Sequence, residues 1–298
     1  MTLDDMAKKT QHIRIVSPSG AIDPSLIDTA SARLRAWGFE VSEGVHARDK
    51  WGRFAGTDGH RLADLCSALA DPSVDMILCS RGGYGLQRII DRVPPVTKPV
   101  WGFSDITTLH QLSGLHHQPS LHGIMCKHIA TLPDDAEPIV ALRKILSGEP
   151  MEYFFPAHPL NRPGHVTAPV IGGNLSVLYG LQATPFSLSA TLYSQKPLLL
   201  IEDIAEPHYH IDRMIRNLRL SGVLASIGGL IVGQFSDCED DPSMPESVYE
   251  TINEAVADYN YPVLFNAPVG HVERNLPLWL HRLVSLSITP SSVRLSWR

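Results

Sequence analysis

The fold of this chain is decided by residues 99–115, PVWGFSDITTLHQLSGL, which place a strand, a turn and a helix in direct succession. The apolar run Pro99–Trp101 predicts a buried strand. The helix is predicted from an apolar stripe at three-residue spacing, formed by Ile106, Leu109, Leu112 and Leu115. Strands and helices that alternate in this way are typical of an α/β sheet.

Ser104 lies at the turn between this strand and this helix. A hydroxyl at a helix N-terminus is close to free backbone N–H groups, which would favour an oxyanion at an attacked carbonyl. Serine is also a preferred N-cap residue, so a purely structural role is the alternative. The Gly-x-Ser-x-Gly motif of hydrolases is only half met, because Ile106 occupies the position of its second glycine.

A glycine loop follows the preceding strand. The apolar residues Val74–Ser80 predict that strand, and Arg81-Gly82-Gly83-Tyr84-Gly85 comes directly after it. Backbone N–H groups in such a loop can turn towards a ligand, as in a phosphate cradle or one half of an oxyanion hole, although a plain tight turn remains the alternative. Neither the Gly-x-Gly-x-x-Gly motif nor a P-loop is present, so nucleotide binding is not favoured.

An acidic pair follows a third apolar run. Leu198–Ile201 predicts a buried strand, and Glu202 and Asp203 stand at its carboxyl end, in front of a helix predicted over His208–Leu220. An ion pair with Arg213 or capping of that helix would account for one of these carboxylates. The other remains a candidate for chemistry.

A histidine follows a fourth apolar run, Val263–Phe265, in the dipeptide Gly270-His271. Ser104, Glu202 and His271 therefore occur in the order serine, acid, histidine, each after a predicted strand. Open α/β sheets place their sites at the carboxyl ends of strands, and α/β-hydrolases have the same order of triad residues. The sequence thus predicts a catalytic triad.

The chain resembles the LD-carboxypeptidases, also called muramoyltetrapeptide carboxypeptidases. The motifs behind this resemblance, in chain order, are Ser80–Gly85, Gly102–Thr107, His122-Gly123, Ile171–Leu175, Ile201–Asp203 with Tyr209 and Ile211–Arg213, and Gly270-His271. Two departures from the family pattern are Ile124, after His122-Gly123, and Trp279, after Pro277-Leu278.

The resemblance implies a serine hydrolase without a cofactor, with Ser104 as nucleophile and Glu202 and His271 as its partners. It implies hydrolysis of the amide bond between the L-centre of meso-diaminopimelate and the terminal D-alanine of a murein tetrapeptide, in cell-wall recycling. A homodimer is also expected.

The resemblance also implies an oxyanion hole formed by the amide of Asp105 and one amide of Gly82 or Gly83. The candidates for substrate binding are Arg81, Tyr84, His122 and Arg213.

Two other functions remain open. An amidase of the microcin C self-immunity type would share the triad but cleave a peptidyl or aminoacyl nucleotide, for which Trp279 or Trp51 could stack on the base. A two-lobed small-molecule binding protein is the non-enzymatic alternative, with its hinge in a proline-rich linker.

Composition excludes several classes of protein. The 298 residues include 25 basic and 31 acidic ones, a net charge of −6, with no basic stripe for nucleic acid. No apolar run is long enough to span a membrane, and acids near the N-terminus argue against a signal peptide. A cytoplasmic protein is expected. No metal site is predicted, because His116, His117, His122 and His128 lack the ligand spacing of zinc motifs.

The pattern of elements predicts an α/β protein of two domains. Residues 1–148 are expected to form a doubly wound, mostly parallel, Rossmann-like domain with the nucleophile. Residues 149–164 include four prolines and are predicted as the linker. Residues 165–298 are expected to form a smaller α/β domain with a β-barrel-like core, which supplies the acid and the histidine.

Overall fold

The computed structural model describes residues 11–191 and 196–297. The amino-terminal residues used in the signal-peptide argument lie outside these ranges. The chain divides into two units. The first unit runs to Glu149 and includes Leu276–Trp279, and the second comprises Pro150–Asn275 and the chain from Leu280 onward.

Strands and helices alternate through much of the described chain. The strands are β1 (His12–Val16), β2 (Glu40–Glu43), β3 (Met76–Cys79), β4 (Val100–Gly102), β5 (Ser120–His122), β6 (Met151–Pro156), β7 (Gly164–Asn174), β8 (Leu198–Ile204), β9 (Gly229–Ser236), β10 (Val263–Leu264), β11 (Leu278–Leu280), β12 (Leu283–Ile288) and β13 (Ser292–Trp297). The helices are α1 (Pro24–Ala36), α2 (Asp58–Ala70), α3 (Thr107–Leu115), α4 (Cys126–Thr131), α5 (Glu137–Leu146), α6 (Leu175–Gly180), α7 (His208–Leu220) and α8 (Val248–Ala255).

The sheet of the first unit has the strand order β11-β5-β4-β3-β1-β2. Strands β1 to β5 pair with one another in parallel, as predicted, and β3 is buried along its whole length. Their order, 2-1-3-4-5, differs from the 3-2-1-4-5-6 order of a Rossmann fold, so the Rossmann-like description is not confirmed. Because β1, β3 and β4 are parallel, the loops that follow them leave the same edge of the sheet.

The sheet of the second unit has the order β10-β9-β8-β7-β12-β13-β6. Strands β7 to β10 pair in parallel, and β12, β13 and β6 continue the sheet in antiparallel fashion from β7. In the part of the chain that the structure describes, this order is open at β10 and β6, so the predicted β-barrel-like core is not confirmed. The α/β class is confirmed.

The predicted linker, residues 149–164, is partly a strand. Residues Met151–Pro156 form β6, in which buried and exposed side chains alternate, and β6 pairs with β13. This segment therefore belongs to the sheet of the second unit. A hinge across the whole of residues 149–164 does not agree with this pairing.

Local signals set the helix ends. Asp23 caps α1 by accepting a hydrogen bond from the Ser25 amide, and Pro24 occupies the first turn. Ser247 and Glu250 form a capping box at the start of α8. Among the described helices, none combines the length and the apolar character needed to cross a lipid bilayer.

Candidate active site

Ser104 has a strained backbone. Its φ angle is 68°, in the left-handed region that residues other than glycine rarely adopt. Ser104 directly follows β4 and Phe103 and starts a 3₁₀ turn that leads into α3. Its side chain is half-buried, whereas all other residues from Trp101 to His110 are buried. Strain of this kind is typical of functional sites, and α/β-hydrolases present their nucleophilic serine on such a turn.

The glycine loop passes directly against this serine. A Cβ atom added at Gly82 would lie 2.8 Å from Ser104 Cβ and 3.1 Å from Ser104 Oγ. Only glycine therefore permits this approach. The next residue, Gly83, has a φ of 108°, which a larger residue would adopt only with strain.

We expect Gly82→Ala to reduce activity strongly, because the new methyl group displaces the Ser104 side chain. The expected loss in kcat is roughly 10²-fold, since a misplacement of about 1 Å has effects of this size. Gly59→Ala is the matched control, as the nearest atom to its new Cβ is 3.8 Å away. The measurement is kcat together with the melting temperature. Wild-type kcat in a folded Gly82→Ala protein would contradict this geometry.

The side chain of Asp105 stabilises the turn that begins at Ser104. Its side chain is buried, and its Oδ2 accepts hydrogen bonds from Ser19 Oγ at 2.6 Å and from the Leu86 amide at 3.0 Å. Burial raises the pKa of this carboxyl, and both hydrogen bonds oppose that effect. Asp105 thus connects the serine turn to the segments that follow β1 and the glycine loop. From the sequence, only the backbone amide of Asp105 had a predicted role.

Arg61 is a second anchor, and sequence reasoning missed it. This arginine of α2 is buried, and its Nη1 donates to the carbonyl oxygens of Pro18 at 2.7 Å and Gly85 at 2.9 Å. It also forms an ion pair with Asp58. Its position on the same helical face as buried Leu65 was the available signal, since a buried arginine requires partners.

A cationic groove borders the glycine loop. The groove has a volume of about 610 Å³ and is lined by Lys50, Arg53, Arg81, Tyr84 and Gly83, among others. The Arg81 guanidinium donates to the carbonyl oxygen of Ala21 at 2.7 Å, and that of Arg53 lies over the Tyr84 ring. These three cations outnumber the one acid in the lining, Asp23, and a net positive groove suits an anionic ligand group.

The other two predicted substrate-binding residues lie in different environments. His122, the last residue of β5, is fully buried beside the Phe103 ring at 5.8 Å. Burial favours a packing role for His122 over the predicted substrate contact. Arg213 is exposed on α7, with its guanidinium over the Tyr209 ring.

In the second unit, the fully buried Glu202 pairs with the partly buried His271. Glu202 Oε2 lies 2.8 Å from His271 Nδ1, and the carboxylate is fully buried. Burial disfavours the imidazolium, but the hydrogen bond and the charge of Glu202 outweigh it, so the pKa of His271 is raised above its usual 6.5. This arrangement fixes the orientation of the imidazole and stabilises its protonated form.

Two features of the backbone restrict the position of the Glu202 side chain. The register between β8 and β9 shifts between Ile201 and Asp203, so β9 has one extra residue opposite Glu202. Bulges redirect side chains next to functional sites. Gly270, which precedes His271, has a φ of 128°, and a Cβ atom there would lie 2.9 Å from Glu202 Oε2.

Asp203 has different partners from its neighbour. Its Oδ1 accepts from Asn174 Nδ2 at 2.8 Å and its Oδ2 from the Ser176 amide at 2.7 Å, at the start of α6. Burial and the charge of Glu202 raise the pKa of Asp203 to about 7. Asp203 therefore joins β8 to the first turn of α6. These contacts differ from the two structural roles expected for one of the adjacent acids, an ion pair with Arg213 and capping of α7.

Ser104 and its strained turn lie in the first unit, and the Glu202–His271 pair lies in the second. Residues 13–123 match the LD-carboxypeptidase N-terminal domain, and residues 167–286 match the LD-carboxypeptidase C-terminal domain. The chain belongs to the LD-carboxypeptidase family of peptidases.

Individual relatives agree with this assignment. A Bacillus subtilis protein named "probable murein peptide carboxypeptidase" is 31% identical, over 88% of this chain and 84% of its own. The murein tetrapeptide carboxypeptidase of Pseudomonas aeruginosa is 27% identical, over 89% of both chains.

Solved structures share the fold. The muramoyltetrapeptide carboxypeptidase from Oxalobacter formigenes matches with a TM-score of 0.85 and 24% identity, covering 96% of this chain and 98% of its own. The microcin C7 self immunity protein matches with a TM-score of 0.80 and 18% identity, over 97% and 96%. At these identities the likeness concerns the fold alone.

Proposed function

We propose that the protein is a serine-type LD-carboxypeptidase that removes the terminal D-alanine from a murein tetrapeptide. Ser104 is too weakly acidic to attack unaided, so His271 takes its proton while Glu202 orients the imidazole and stabilises the imidazolium. Oγ then forms an ester with the acyl group, His271 protonates the departing amine, and water hydrolyses the ester.

The oxyanion of each tetrahedral intermediate is proposed to accept from the Asp105 amide and from one amide of Gly82 or Gly83. Each such donor contributes about 3 kcal/mol to the lowering of the barrier in related chemistry. The contact of Gly82 with Ser104 supports this assignment, because it brings the glycine loop to the attacking hydroxyl. The Glu202–His271 pair in a member of this family is the observation on which the proposal mainly depends.

The cationic groove supports a substrate with a free carboxylate. A carboxypeptidase must distinguish a chain end from an internal peptide bond, and arginine binds carboxylates through paired hydrogen bonds. We propose that Arg81 and Arg53 bind the carboxylate of the terminal residue, next to Gly83. Arg53 was not among the residues predicted from sequence.

The purified full-length chain should be assayed for release of free D-alanine from L-Ala-D-Glu-meso-diaminopimelyl-D-Ala. The matched control peptide ends in D-alaninamide, which removes only the carboxylate charge. We expect kcat/KM for the amide to fall by roughly 10²-fold, because charge-assisted hydrogen bonds to two arginines are lost. A pentapeptide ending in D-Ala-D-Ala should not be cleaved. Equal rates on the acid and the amide would contradict the carboxylate assignment.

The alternative function, a nucleotide amidase, can be tested with the same purified chain. An aromatic residue that stacks on the base was expected to favour this alternative. Trp279 is only 5% exposed and offers no free ring face, whereas Trp51 is 54% exposed. Both departures from the family pattern, Trp279 and Ile124, are buried. Hydrolysis of an aminoacyl sulfamoyl adenosine without hydrolysis of the tetrapeptide would replace the proposed function with this one.

The raised pKa of His271 predicts the pH dependence of the reaction. The general base must be neutral, so kcat/KM should fall as the pH is lowered through a value above 6.5. Glu202→Gln removes the negative charge and the charge-assisted hydrogen bond that raise this pKa, and it leaves the opposing effect of burial. The His271 titration followed by NMR should therefore shift to lower pH in Glu202→Gln. An unchanged midpoint would contradict the pairing.

A cytoplasmic location and a homodimer remain predictions. Cell fractionation tests the first, and light scattering of the purified chain tests the second.

A further inference from the structure

A cluster of three potential metal ligands lies in the first unit, between β2 and α2. Asp49 Oδ2 is 3.0 Å from His46 Nδ1 and 2.8 Å from His60 Nδ1. The two imidazole rings stack with centroids 4.0 Å apart and an interplanar angle of 16°. Both Nδ1 atoms therefore face the same carboxylate oxygen. None of these three residues was among the candidate metal ligands considered from the sequence.

We propose that His46, Asp49 and His60 bind a divalent transition-metal ion, with zinc as the preferred ion. Two imidazole nitrogens and one carboxylate oxygen are a donor set typical of zinc. Their donor atoms all lie within 4.8 Å of one another. Bonds of roughly 2.0–2.1 Å in a tetrahedral site place neighbouring donors roughly 3.3 Å apart, so a small outward movement of Asp49 admits the ion.

The site is open on one side. The His46, Asp49 and His60 side chains are 29%, 38% and 45% exposed, which leaves room for water as a fourth ligand. A site that keeps one position for water is compatible with zinc chemistry in general. The ion can also enter and leave without unfolding of the chain.

The backbone around these residues is held in place independently of any ion. The buried Asp64 carboxylate accepts a hydrogen bond from the His46 amide at 2.9 Å. Gly56 has a φ of 79°, and a Cβ atom there would lie 3.1 Å from Asp49 Cβ and 3.2 Å from His60 Cβ. Glycine at this position thus allows the two ligands to approach each other.

The ion would join the loop after β2 to the first turn of α2. The same loop continues into Lys50 and Arg53, which line the cationic groove. We therefore infer a structural role, in which zinc stabilises one wall of this groove, and not a catalytic one. This inference does not depend on the assignment of Ser104.

Zinc chloride should be titrated calorimetrically into the full-length chain, free of any affinity tag and previously treated with a chelator. The variants are His60→Gln and Asp49→Asn. The matched control is His210→Gln, because His210 and Glu206 form a similar histidine–carboxylate pair at 2.5 Å but belong to no three-ligand group among the described residues.

We expect one zinc ion per wild-type chain and per His210→Gln chain, and affinity at least about ten-fold weaker in His60→Gln and Asp49→Asn. Saturating zinc should raise the melting temperature of the wild type and His210→Gln but not of the two site variants. Absence of zinc binding to the wild type, or equal affinity in all four proteins, would overturn the proposal. If His60→Gln does not fold by circular dichroism, Asp49→Asn decides between these outcomes.

Discussion

Ser104→Ala is expected to lower kcat by roughly 10⁴- to 10⁶-fold while the chain folds normally. Without Oγ no acyl-enzyme forms, and only direct attack by water at the oxyanion site remains. Release of D-alanine measured by mass spectrometry gives the rate, and far-ultraviolet circular dichroism reports folding. Turnover above about a tenth of the wild-type value would exclude Ser104 as the nucleophile.

Ser104→Gly is the matched variant, because it also removes the hydroxyl but relieves the backbone strain. A φ of 68° is accessible to glycine without steric cost, whereas alanine keeps the strain. We expect both variants to be inactive and Ser104→Gly to be more stable than Ser104→Ala by about 1 kcal/mol in urea unfolding. Lower stability of Ser104→Gly would contradict the strained turn.

A double variant tests whether Ser104 and His271 act as one unit. Residues that act together in one step lose activity in a strongly non-additive way. Ser104→Ala combined with His271→Ala should therefore be about as slow as Ser104→Ala alone. Multiplied losses would show that the two residues act separately.

Elements with clear local periodicity were well predicted from the sequence. Helix α7 was predicted at His208–Leu220, and the structure has the same bounds. Its apolar residues recur at helical spacing, and this pattern can be recognised without knowing which elements the helix packs against. Strand β6 was missed. Its apolar residues at 151, 153 and 155 alternate, but Pro150 and Pro156 at its ends suggested a linker. Its partner β13 comes more than a hundred residues later, and such pairing cannot be derived from local pattern.

The site was only partly predictable for the same reason. Strand ends and glycine loops are local signals, and they led to Ser104, Glu202 and His271. The buried Arg61 and the group around Asp49 depend on contacts between separate elements. The positive φ of Ser104 is likewise imposed by its tertiary surroundings, since serine itself does not favour it.

The second large effect on activity is expected for Glu202, which is followed directly by another acid, Asp203. Glu202→Gln preserves the shape of the side chain but removes the anionic partner of the imidazolium, and its amide group can stabilise the wrong tautomer of His271. The expected loss in kcat is up to about 10⁴-fold, as in other triads. The free energy of unfolding should change little by comparison, because a neutral His271 leaves no buried charge without a partner and the glutamine amide can still form a hydrogen bond with it.

Asp203→Asn is the matched control and should show the opposite pattern. An asparagine keeps only one acceptor oxygen, whereas Asp203 accepts from both Asn174 Nδ2 and the Ser176 amide. The loss of one such bond should lower the free energy of unfolding by about 1–3 kcal/mol and leave kcat within roughly ten-fold of the wild type. Urea unfolding and D-alanine release measure the two effects. If Asp203→Asn abolished turnover and Glu202→Gln only lowered stability, Asp203 would be the acid of the triad and the Glu202–His271 hydrogen bond would serve the fold alone.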